Sequence, residues 1–177
     1  MWREQLLEQV TFHWNAAVMP RLVGLTDAEY HWEPVDRAWG IRLRDDGTWF
    51  PDWEWPEPDP PPVTTIAWRM SHIACGLLAM RISGHFGDGS VGYENFDYKG
   101  TAAEGIAQAD AYFKEWIAHL ETMDEQALWK PIGTVEGPWA ENPFVTLILH
   151  ISREVIHHAA EIALLRDLYR ARTGAES

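Results

Sequence analysis

The stretch from Asn142 to Gly174 constrains this chain more than any other. Asn142 is a capping residue and Pro143 suits the first position of a helix. The helical pattern then runs to about Arg172 and stops before Gly174. At roughly 100° per residue its apolar stripe is Phe144, Leu147, Ile151, Val155, Ile162, Leu165 and Tyr169. A helix this long, apolar along one face, needs neighbours to cover that face.

The rest of the chain supplies them. Apolar residues at spacings of three or four (Leu6, Val10, Trp14, Ala17) predict a first helix from about Trp2 to Leu22. Thr26-Asp27-Ala28-Glu29 reads as a capping box opening a short helix through Tyr30 and Trp32. A second long helix, apolar nearly all round, is expected from Thr64 or Thr65 to Gly84 or Gly87. After a loop to Gly100, Thr101 to Glu104 caps a third helix carrying Ile106, Tyr112, Phe113, Trp116 and Leu120. Asp124 to Glu141 is irregular, with a hairpin expected around Gly133 to Gly137. The fold class this implies is all-α: one domain spanning residues 1–177, an antiparallel four-helix bundle with a long crossover connection. That connection, Glu33 to Pro62, is rich in tryptophan and proline and cannot be helical through its prolines. Its length marks a binding loop, a lid or disorder, and its tryptophans argue against disorder.

Charge and composition exclude several functions. Acids outnumber bases 27 to 14, a net charge of −13, which disfavours phosphate backbones and anionic membranes. No apolar run approaches a bilayer span. A single cysteine, Cys75, excludes an internal disulfide and fits a reducing compartment, so a cytoplasmic location is expected. Eleven tryptophans, many outside the helical stripes, point to a cavity wall as well as a core.

His158 falls near the middle of the last helix's apolar stripe and Glu154, one turn earlier, on its edge. A carboxylate aimed into a helical core is costly unless it is paired or binds a metal. On the second helix, Trp68, His72, Cys75 and Ala79 form one stripe, so His72 faces a core or a cavity from the opposite wall. His72, Glu154 and His158 are therefore candidate ligands of a divalent metal. Zn, Ni or Fe suits such a set, which leaves coordination positions open. The plainer alternative is two hydrogen-bonded buried histidines and a Glu154–arginine pair.

The segments Trp68-Arg69-Met70-Ser71-His72-Ile73-Ala74 and Arg153 to Ile162, together with the helix order, resemble the DinB superfamily across nearly the whole chain. The resemblance implies a four-helix bundle with one metal ligand on the second helix and two, spaced by four, on a later one. Where that family commonly begins the spaced pair with histidine, this chain has Glu154, similar to the branch containing mycothiol-dependent maleylpyruvate isomerase. The family's usual Arg-Gly-Gln after the double histidine is Ala159-Ala160-Glu161 here. What the resemblance implies of activity is a metal-dependent S-transferase or isomerase using a low-molecular-weight, mycothiol-like thiol against a small electrophile. A metal-dependent small-molecule hydrolase and a non-enzymatic ligand-binding bundle are the rival readings. The expected partner is a small molecule, with no nucleic acid and no membrane, and a homodimer is plausible.

Around that set, His150 is the reserve ligand, one turn before Glu154. His157 points about 100° from His158, so it reads as a residue behind the ligands, at an interface or simply at the surface. His13 lies at the edge of the first helix's stripe and is able to approach the cavity. Cys75 reads first as a small buried hydrophobe, with a ligand or nucleophile role conceivable. Trp39, Trp49, Trp53 and Trp55 wall a pocket or form a core for the loop. Arg42 and Arg44 are able to meet a carboxylate of a thiol cofactor, with an ordinary salt bridge the simpler role. His31, His85 and His119 have no partners at ligand spacing.

Overall fold

The computed structural model describes residues 1–174. Helix α1 (Trp2–His13) continues through a π-helical segment, Trp14–Val18, into α2 (Met19–Leu22). Thr26 caps α3 (Asp27–Tyr30), its hydroxyl accepting from the Glu29 amide at 3.2 Å. Thr65 in the same way caps α4 (Ile66–His72), which runs through a second π-helical segment, Ile73–Ala79, into α5 (Met80–Phe86). Thr101 caps α6 (Ala102–Thr122). The last helix, α7 (Phe144–Thr173), ends at Gly174 in the left-handed conformation that glycine adopts without strain.

The protein is thus mostly helical, as the apolar periodicity predicts. Three details differ. The long connection contains a small antiparallel hairpin, β1 (Ile41–Leu43) and β2 (Trp49–Pro51), with Ile41 opposite Pro51 and Leu43 opposite Trp49. The excursion around Gly133 to Gly137 is not a strand hairpin but a 3₁₀ turn, Thr134–Trp139, closed by one bridge between Pro131 and Pro143. Prolines at both flanks have no N–H to extend a ladder. Finally, the cap of α7 is Pro143, whose ψ of 147° is extended, so the helix starts one residue later than Asn142 predicts.

The long helical stretches bury one another's apolar faces. Helix α1 packs on α6 and α7, and the α4–α5 stretch packs on the same two. Trp14 stacks on Phe113 at 4.3 Å and 7°, while its indole N–H donates to Asp110 at 3.0 Å. Burying side chains of this kind contributes about 1.5–3 kcal/mol each. Arg166 and Glu29, 3% and 5% exposed, form a two-bonded ion pair at 2.7 and 3.1 Å, and Arg166 also donates to the Val23 carbonyl. This fastens α7 to α3 and to the chain that precedes it. Among the described residues no helix is long and apolar enough to cross a membrane.

The hairpin connection is tied to the start of α4. The Trp39 amide donates to Val63 and the Thr65 amide to Trp39, each at 2.8 Å. Asp52 accepts from the Gly40 amide at 2.8 Å through its carboxylate and from the Trp68 indole at 2.9 Å through its carbonyl. A loop of this length is thereby held as a fixed wall beside α4.

Candidate metal centre

Helices α4 and α7 bring His72 and His158 together, with ring centroids 4.9 Å apart and the rings nearly perpendicular. Trp68, one turn before His72, stacks on it at 5.4 Å and 14°. Burial, then the nearby His158, Arg69 and Arg81, push the His72 pKa down to about 3. Its imidazole is neutral at physiological pH and keeps a nitrogen lone pair. Gly76 leaves room for this arrangement: a Cβ there would stand 2.8 Å from the Tyr93 hydroxyl and 3.2 Å from His72 Nδ1.

His158 is 5% exposed, and its two ring nitrogens face different surroundings. Nδ1 lies 2.8 Å from a Glu161 carboxylate oxygen. A carboxylate only accepts, so in the Nδ1–H tautomer His158 donates to Glu161 and keeps its lone pair on Nε2. Nε2 lies 3.6 Å from a Glu154 oxygen. Glu161 is held in turn by Arg69, 3.1 Å away, whose guanidinium also approaches His158 Nδ1 at 3.2 Å. Burial pushes the Glu161 carboxyl up, but the His158 hydrogen bond and the Arg69 charge outweigh it and hold it below its ordinary value. Glu154, with its side chain 24% exposed, also meets Arg153 at 3.1 Å and His150 at 3.7 Å.

Among the described residues one group around His158 has the spacing a metal ion needs. His157, His158 and Glu161 have ligand atoms that all lie within 4.8 Å of one another. His72, Glu154 and His158 do not meet that spacing as a set, but they share the wall of one cavity of about 850 Å³. The chemistry of the second set fits a divalent ion: a buried neutral imidazole, a second imidazole whose free nitrogen is fixed by a carboxylate behind it, and a carboxylate alongside. That backing contact is the arrangement that orients metal-binding histidines.

The cavity wall uses Trp39, Trp53, Trp55 and Trp68, so part of the tryptophan excess is spent on a pocket. Trp49 instead packs on His31 at 5.2 Å, in the body of the loop. Of the other candidates, Cys75 is fully buried, and burial raises its thiol pKa to about 11. It does not line the cavity and supplies no thiolate. His13 does not line it either: its Nε2 is buried without a partner, and burial lowers its pKa. Arg42 is committed to Glu33 at 2.6 Å and Asp52 at 2.9 Å, and Arg44 lies over Phe50 at 3.5 Å, so neither waits for a cofactor carboxylate. His150 bonds Arg153 at 2.7 Å and lies outside the cavity. His157 is more than a surface residue, since its Nε2 comes 3.4 Å from Glu161.

Sequence reading missed Arg69 and Glu161. The spacing of Glu161, three residues after His158, was a usable signal, because side chains three apart meet on a helix. The DinB superfamily model matches residues 9–162 of the chain. No curated protein and no solved structure matches it.

Proposed function

The chain belongs to the DinB superfamily, and from that premise we propose that it is a divalent-metal-dependent enzyme whose ion is held by His72, Glu154 and His158 and which acts on a small molecule in the adjoining cavity. The long helical stretches are read as the four members of an antiparallel bundle, with this site between two of them. The observation that carries the proposal is the division of labour on His158: Nδ1 is held by Glu161 at 2.8 Å, and Nε2 is turned toward Glu154 on the cavity side. A zinc or similar ion there supplies a nucleophile at neutral pH by lowering the pKa of a thiol or water. The protein's own part is to present the neutral His72 imidazole beside His158, to exclude bulk water with tryptophans and to orient the substrate on the aromatic wall.

The preferred nucleophile is a low-molecular-weight thiol, because the chain's own Cys75 is buried, raised in pKa and away from the cavity. With Arg42 and Arg69 already paired, the thiol is one that needs no carboxylate recognition, a sugar-like thiol such as mycothiol. The same pairing supports a second reading, in which water replaces the thiol and the protein is a hydrolase. X-ray absorption at the metal edge of zinc-loaded protein separates them. A sulfur scatterer gained on adding a neutral thiol supports the first, and nitrogen and oxygen neighbours alone support the second. Protein that retains no metal at neutral pH contradicts both.

A further inference from the structure

The sign of charge around the cavity says what class of molecule enters it. Its open side is formed by Trp53 and Trp55, 59% and 80% exposed, with Trp53 stacked at 5.9 Å on Tyr93. Interleaved with these rings are Glu54, Glu57 and Glu94. Among the described residues no lysine or arginine forms an ion pair with any of the three, and only Glu57 feels a base, Arg69, at longer range. One basic side chain lines the cavity, Arg69, and it is held at 3.1 Å by Glu161 and lies over the Trp68 ring at 5.3 Å. Indole and phenol faces are negative, and a concave low-dielectric wall focuses the field of nearby carboxylates. An anion would meet like charge with no free base to receive it. A hydrated metal ion would satisfy the carboxylates and leave the rings unused. An ammonium group carried on an apolar body satisfies both.

We propose that the cavity takes an organic cation, an aryl- or alkylammonium whose charge sits among Glu54, Glu57 and Glu94 and whose body packs on the tryptophans. This names the substrate class of the proposed metal enzyme, and so rests on reading the cavity as that enzyme's substrate side.

Calorimetry on the full chain tests it with three probes of one shape: phenethylammonium, 2-phenylethanol and phenylacetate, at pH 7.5 and low salt. The protein is used both stripped of metal and zinc-loaded, and zinc is titrated separately. In metal-free protein the ammonium is expected to bind about tenfold tighter than the alcohol, with phenylacetate weakest. Glu54→Gln, Glu57→Gln and Glu94→Gln together are expected to erase most of that advantage while leaving the alcohol's affinity unchanged. All three positions are exposed, so the variant keeps the fold, which circular dichroism checks. An alcohol or phenylacetate affinity equal to the ammonium's overturns the proposal. So does a preference that survives in the triple variant, or no binding of any probe. Zinc that binds without an ammonium preference overturns the substrate class alone. An ammonium preference without zinc binding overturns the metal enzyme and leaves a cation-binding pocket.

Discussion

Removing His72 and removing His157 should have very unequal consequences for metal binding, and the difference can be worked from distances around His158. An ion held by His157, His158 and Glu161 would use the Nδ1 side of His158, where the Arg69 guanidinium already stands 3.2 Å from that nitrogen. Zinc binds imidazole nitrogen at about 2 Å, so it would lie within roughly 5 Å of the guanidinium. At an effective dielectric of about 20, each unit of ion charge then costs about 3 kcal/mol, some 6–7 for a dication. Glu161 cannot offset this in full, because its charge is already shared with Arg69 and His158. On the Nε2 side the neighbours are the neutral His72 and Glu154, itself paired with Arg153 at 3.1 Å, and that guanidinium contacts the carboxylate and not the imidazole.

The expectation is therefore that His72→Ala weakens zinc binding on the order of a hundredfold or more, at least the upper end of what loss of an outer partner costs. His157→Ala should change it by less than about threefold, as expected of a side chain outside the ligand set. Glu161→Gln keeps an acceptor for His158 but loses the charge, and should cost about tenfold. Competition against a chromophoric zinc chelator at pH 7.5 reads all three on one scale. The reasoning is refuted if His157→Ala abolishes binding while His72→Ala leaves it intact.

Two further outcomes follow from buried charge. The folded protein keeps His72 neutral down to about 3, whereas the unfolded chain takes up a proton below about 6.5. Stability of the metal-free protein should thus be full above 6.5 and fall as pH drops from 6.5 toward 3, by up to about 1.4 kcal/mol per pH unit. Urea unfolding between pH 7 and 4.5 should give a flatter profile for His72→Gln, and parallel profiles would contradict the neutral burial. Arg166→Met strands the buried Glu29 carboxylate and should cost about 3–5 kcal/mol, lowering the melting temperature on the order of 10 °C. Adding Glu29→Gln should recover part of that loss in the same thermal scan, and a single-variant loss under about 1 kcal/mol would show the pair to be dispensable.

How much of this was legible in the sequence depends on whether the deciding interaction was local. Caps at Thr26, Thr65 and Thr101, and the stop at Gly174, are local, and they lie where the sequence puts them. The same holds for His158, whose burial follows from its place on an apolar stripe. The β1–β2 hairpin was also written locally, in Asp46-Gly47, a turn pair, but the surrounding prolines drew attention to irregular chain instead. Cys75 is buried, as its first reading has it, but it departs from the stripe of His72 because the regular helical period fails just after that residue. The π-helical segment Ile73–Ala79 turns less per residue than an α-helix, so Cys75 lags behind the direction of His72 and leaves the cavity. His157 diverges from His158 as the helical period requires, yet both side chains are long enough to converge on Glu161, which puts His157 behind His158 and largely at the surface. Arg69 meeting Glu161 is a contact between distant segments, and no local pattern announces it.

That last contact also explains why the metal proposal and the cation proposal belong together. Arg69 stands at the boundary between the two sides of His158, its guanidinium near Nδ1 and its charge taken up by Glu161. Its position on the Nδ1 side makes that side unfavourable for a dication and leaves Nε2, facing the cavity, as the available ligand. Its pairing with Glu161, and the attraction of Glu57 at longer range, leave the cavity's one basic side chain little charge to offer an incoming anion. Had Glu161 been neutral, as in the glutamine of the common family pattern, Arg69 would keep a free charge at the cavity wall and offset part of the negative field of Glu54, Glu57 and Glu94. The glutamate at this one position therefore couples two properties that look independent, the nitrogen that faces the ion and the sign of the molecule beside it.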